Sequence, residues 1–152
     1  MTTEDNGPYL QVAVICEKTL EEKDGVISII RIVDRITVTH MTPDSPEKMP
    51  EIPISYTLVI SLNSGGFKGK KELRIVLKEP NGKEREGRKI FYLPITFEGD
   101  GKGNNVILNN VMQTKGEGVY WFEIFLDDNF YAKTPLRIDY KPEKSAPLAP
   151  PT

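Results

Sequence analysis

The residues able to do covalent or acid–base chemistry are few and scattered. Cys16 is the single cysteine and His40 the single histidine of the 152-residue chain. A Ser-His-Asp arrangement would need His40, yet no Gly-x-Ser-x-Gly elbow accompanies it. His40 therefore reads as a surface or loop-anchoring residue. Cys16 sits inside the apolar run Val12-Ala13-Val14-Ile15-Cys16, with no basic or histidine neighbour to lower its pKa. It reads as a small buried core residue. One cysteine excludes an internal disulfide framework, and one histidine excludes most His-rich metal sites. No catalytic residue, cofactor-binding residue or metal ligand is assigned, and the chain is expected not to be an enzyme.

Three ligand chemistries have partial signals. Gly65-Gly66-Phe67-Lys68-Gly69-Lys70-Lys71 looks superficially like a phosphate loop, but it lacks the Gly-x-x-x-x-Gly-Lys-Ser/Thr spacing and joins two predicted strands. Gly99, Gly101 and Gly103 alternate without a helix to follow. Asp100, Asp127 and Asp128, with Asn104, Asn105 and Asn129, could supply calcium oxygens in a C2-like domain. Asp127-Asp128-Asn129 is equally ordinary hairpin-turn chemistry.

Charge is the more informative feature. Lys68 to Lys89 holds nine basic and four acidic residues, a segment charge of +5, so the remainder carries −7 to reach the overall −2. Lys68, Lys70, Lys71, Lys83, Arg85, Arg88 and Lys89 could form a surface for an anionic partner such as a phospholipid. The plainer reading is lysines guarding a sheet edge against aggregation.

The elements that must position these residues are strands. No stretch shows a helical period over three turns; alternation and β-branched runs recur between Gly, Pro and Asn. Expected strands are Tyr9 to Glu17, Val26 to His40 with a bulge or bend near Asp34, Ile54 to Leu62, Glu72 to Lys78, Arg88 to Phe97, Val106 to Met112, Val119 to Leu126 and Phe130 to Tyr140. Pro94 marks its strand as an edge or bulged one. In the aromatic strand, Glu123 shares a face with Val119, Trp121 and Phe125, so Tyr120, Phe122, Ile124 and Leu126 are predicted to face the core. The result is an all-β, two-layer antiparallel sandwich of about eight strands, immunoglobulin-like or C2-like, with a closed barrel as its rival.

This sandwich is expected over residues 9–140. A disordered N-terminus is expected over 1–8 and a proline-rich tail over 141–152. Within that tail Lys144, Pro147 and Pro150 match a basic-x-x-Pro-x-x-Pro pattern that short proline-rich tails often match by chance. No secretory signal or membrane-spanning run is present, so the cytoplasm is the expected location.

Two segments carry a resemblance. One runs from Val14-Ile15-Cys16-Glu17 through Gly25-Val26-Ile27-Ser28-Ile29-Ile30-Arg31-Ile32-Val33-Asp34-Arg35-Ile36. The other is Gly118-Val119-Tyr120-Trp121-Phe122-Glu123-Ile124-Phe125-Leu126-Asp127, ending in Pro135-Leu136-Arg137-Ile138. Together they resemble a family of small bacterial β-sandwich proteins catalogued only as a domain of unknown function. Arg31 stands where that family usually has glycine, and Val33 where it usually has phenylalanine. The second segment also resembles late strands of immunoglobulin-like sandwiches, where a Tyr after a Gly turn ties a corner to the backbone. The resemblance implies a fold and no activity. The expected role is a non-enzymatic binding or accessory module acting through a protein partner or self-association. A C2-like domain for anionic lipid or calcium is the alternative.

Overall fold

The computed structural model describes residues 6–40, 44, 46–82 and 91–142. Nine strands form among these residues: β1 Tyr9–Glu21, β2 Ile27–Ile32, β3 Arg35–His40, β4 Pro53–Asn63, β5 Lys68–Lys78, β6 Phe91–Glu98, β7 Gly103–Gln113, β8 Gly118–Leu126 and β9 Asn129–Pro142. They pair into a four-stranded sheet, order β2-β1-β4-β7, and a five-stranded sheet, order β3-β9-β8-β5-β6. The architecture is a β-sandwich of two sheets rather than a closed barrel.

The alternation in the sequence places the core. Leu58, Ile60 and Leu62 of β4 and Leu73 and Ile75 of β5 are buried between the sheets. Ile95 and Phe97 of β6 and Leu136 and Ile138 of β9 join them there. Along β8, Tyr120, Phe122, Ile124 and Leu126 are each at most 1% exposed, as the position of Glu123 predicts. Thr134 and Tyr140 of β9 are also buried, which apolar patterning alone did not indicate.

The expected strand Val26 to His40 is two strands in different sheets. Val33 N still donates to Ile15 O of β1, whereas Asp34 O already accepts from Arg137 N of β9. These two bonds hand the chain across the sandwich at the bend expected near Asp34. They leave β3 parallel to β9, so the sandwich is not purely antiparallel. Arg31, just before the switch, has φ 56°. That left-handed backbone favours glycine, the residue the resembled family carries there. Arg31 makes an exposed ion pair to Glu17, 2.7 Å, of a kind that contributes little. Arg31→Gly is therefore expected to stabilise the fold by about 1 kcal/mol, read as a raised urea midpoint at unchanged slope.

Several turns follow from local chemistry. Asp127 and Asp128, φ 46° and 65°, form the two-residue loop between β8 and β9, which suits the twist of paired strands. Tyr120 Oη donates to Gly116 O and accepts from Lys115 N, both 2.8 Å, tying the corner before β8 as the Gly-turn resemblance implies.

The ends differ from expectation. Asn6 O accepts from Gly66 N, and Tyr131 Oη donates to Pro8 O, so residues 6–8 belong to the fold. At the other end β9 runs to Pro142, which a parallel ladder with β3 carries past Tyr140. The remaining tail, with Lys144, Pro147 and Pro150, lies outside the described residues.

Candidate functional site

The residues singled out for chemistry are not brought together. Cys16 is 2% exposed and its thiol donates to Lys18 O at 3.6 Å. Burial raises its pKa, a backbone interaction at Lys18 opposing the rise only in part, so the thiolate needed for reactivity is disfavoured. It lines a cleft of about 570 Å³ with Glu17, Val33, Ile36 and Tyr56. The cleft opens where β1 parts from β4, beyond the Cys16–Thr57 pair. Glu17 is ion-paired to Arg31 there, and no acid–base pair faces it across the cleft. His40 closes β3 opposite Pro142.

The glycine-rich stretches pack against one another. Gly66 N donates to Asn6 O, Gly101 N to Gly65 O, and Ser64 N to Lys102 O. A side chain at Gly65 would collide with the Tyr9 ring and Asn6 O. The loops and the N-terminal segment thus lock each other; the Gly66 amide is used in these contacts and the Gly65 amide donates to Asn63 Oδ1 at 2.8 Å, so neither is aimed at a phosphate.

The acidic turn is neutralised from within. Asp127 accepts from Glu72 N at 2.8 Å and lies 3.6 Å from Lys71 Nζ; Asp128 lies 3.5 Å from Arg74. Asn105 accepts from Ser61 Oγ. No group of three or more His, Cys, Asp and Glu side chains able to hold a metal occurs among the described residues.

The basic surface is split. Lys83, Arg85, Arg88 and Lys89 lie outside the described residues. Lys68 and Lys70 share the outer face of β5, whereas Lys71 falls on the parity of Leu73 and lies over the Phe67 ring beside Asp127. β5 lies between β8 and β6, but its pairing with β8 begins at Leu73, so Lys68, Lys70 and Lys71 sit where the strand is paired with β6 alone. The edge strand is β6, and Pro94 sits in it, as its sequence signal indicated.

The two outer sheet faces differ in kind. On the five-stranded sheet, Lys133 Nζ lies 4.4 Å from the Trp121 ring centroid and the Arg74 guanidinium 4.2 Å from that of Phe125. Lys78 is 3.3 Å from Glu123 between them. Cationic heads over aromatic rings, with an ion pair between them, give this face its own cover.

The four-stranded sheet is different. Tyr9 to Cys16 of β1, all of β4 and all of β7 contain no Asp, Glu, Lys or Arg. In a chain with 28% charged residues, 30 such positions on three adjacent strands form a distinct surface. Its register sets Val14, Val59 and Ile107 in one row across the three strands. On one side lie Cys16, Thr57 and Asn109, with Ile32 opposite Cys16; on the other lie Val12, Ser61 and Asn105. Thr57 and Ser61 donate to Asn109 and Asn105, each at 2.7 Å, so the polar members satisfy one another. Val59 and Cys16 are buried yet stand apart from the core cluster. At the rim, Ile32 is 66% and Val111 53% exposed. The outer face thus has an apolar centre, a neutral hydrogen-bonded surround and exposed aliphatic side chains at its rim. The signal visible in the sequence was three charge-free runs, which become one surface only through the β1-β4-β7 order.

Comparison with known proteins adds the family. No curated protein matches the chain. Among solved structures, two of a β-glucosidase from Listeria innocua align at 6% and 7% identity with TM-scores of 0.47 and 0.48. They cover 70% and 84% of this chain, which spans only 15% and 16% of theirs. An immunoglobulin-like protein from Pseudomonas aeruginosa aligns at 10% identity and a TM-score of 0.42, over 89% of this chain and 98% of its own. The model of a family of unknown function, DUF6941, matches residues 11–139, nearly all of the sandwich. The chain belongs to that family.

Proposed function

We propose that this protein is a non-enzymatic binding or accessory module of the bacterial cytoplasm that works through protein contacts. The outer face of the four-stranded sheet is its contact surface. The observation that carries this reading is the absence of Asp, Glu, Lys and Arg from Tyr9–Cys16 of β1 and from all of β4 and β7, around the Val14–Val59–Ile107 row. Such a face loses little on desolvation, because its Thr–Asn and Ser–Asn pairs are already made and no charge must be stripped of water. A second support is contrast: the five-stranded sheet has a face covered by its own ion pairs and cation–ring contacts.

The test is affinity capture from bacterial extract with the parent, an Ile107→Lys variant and a Lys68→Gln/Lys70→Gln variant. Ile107→Lys is expected to weaken capture of a protein partner by about tenfold or more, because it buries an unpaired charge in the contact. The lysine variant is expected to leave capture unchanged. Cosedimentation with anionic vesicles belongs in the same experiment, with and without calcium. Vesicle binding that falls as salt screens exposed charges, and is lost in the lysine variant, would instead support a C2-like anionic surface.

A further inference from the structure

We infer that β7 pairs with β7 of a second copy of this chain, joining two four-stranded sheets into one continuous sheet. This rests on the reading of the four-stranded sheet as the contact surface, and names its partner. The sandwich has four edge strands among the described residues: β2, β7, β3 and β6. Three carry features that oppose strand addition. β2 is six residues long and holds Arg31 in a left-handed conformation. β3 is also six residues long and begins with Arg35. β6 contains Pro94 and ends in Glu98. β7 alone among them is free of both charge and proline, over 11 residues.

Charge argues for a second copy as the occupant. In an isologous pair each edge meets itself, so any fixed charge near the twofold axis meets a like charge. β7 has none to repel. The stretches of this chain outside the described residues suit the edge poorly. Residues 143–152 include Pro147, Pro150 and Pro151, which have no N–H to donate to a ladder. Residues 83–90 hold six charged side chains and connect β5 to β6 in the other sheet. An antiparallel pair about Leu108, the midpoint of β7, sets Ile107 opposite Asn109 of the second copy and Asn105 opposite its Val111. The half-buried Ile107 and the exposed Val111 then each meet an uncharged asparagine of the second copy, so no charge is desolvated across the axis.

The experiment is sedimentation equilibrium on the full chain over a concentration series. The parent is compared with Asn105→Lys/Val111→Lys and Asn105→Glu/Val111→Glu variants, with circular dichroism to confirm retained β structure. The parent is expected to dimerise. Each variant sets like charges opposite each other twice and is expected to be monomeric, and an equimolar mixture of the two to regain the dimer. The mixing step separates lost pairing from lost folding. A monomeric parent would overturn the inference, as would dimeric variants or a mixture that stays monomeric. A monomeric parent whose captured protein is still lost with Ile107→Lys overturns the second-copy assignment alone and leaves the contact-surface reading standing.

Discussion

Phe122→Ala is expected to destabilise the sandwich by about 3–5 kcal/mol, the cost of removing a fully enclosed aromatic ring and leaving its cavity. Phe122 is 1% exposed, lies at the centre of β8, and packs with Tyr56 of the opposite sheet at a ring-centroid distance of 5.0 Å. Its loss therefore removes a contact between the two layers. Trp121, the next residue, is larger but lies on the outer face, where its ring carries Lys133. Trp121→Ala is expected to cost clearly less, because the vacated space opens to water. Urea denaturation of both variants decides the point. A larger loss at Trp121 would mean that β8 presents the other face to the core.

Tyr120→Phe should have the next largest effect, about 1–3 kcal/mol, although it removes a single oxygen. That oxygen is both acceptor for Lys115 N and donor to Gly116 O. The ring is fully buried, so the amide and carbonyl lose a partner where water cannot readily replace it. Thermal melts monitored by circular dichroism would show a lowered midpoint with an unchanged β spectrum. An unchanged midpoint would mean that the corner is held by backbone pairing alone.

These two residues show what the sequence made legible. Alternation around Glu123 was enough to orient β8, because a strand repeats every two residues and a charge marks one face. The Gly-x-Tyr turn was local and equally readable. The switch at Val33–Asp34 was only half readable: a bend was visible, but its partners, Ile15 and Arg137, are distant in sequence. The lysines of β5 were half readable for the same reason. Whether they border an unpaired strand side depends on how far β8 runs beside β5, which is only to Leu73, and alternation sends Lys71 to the opposite face from Lys68 and Lys70. The uncharged surface was present in the sequence as three separate runs. Only the β1-β4-β7 order, set by non-local pairing, turns them into one face.

The central claim is that contacts are made by the four-stranded sheet and its β7 edge. Amide hydrogen exchange of the protein, free and in complex, tests it most directly, because a backbone amide newly paired or covered exchanges more slowly. The account predicts that added protection falls on Gly103–Gln113 and on the neighbouring amides of β4 and β1. Protection confined to β5 and β6, with β7 exchanging as fast as in the free protein, would contradict it.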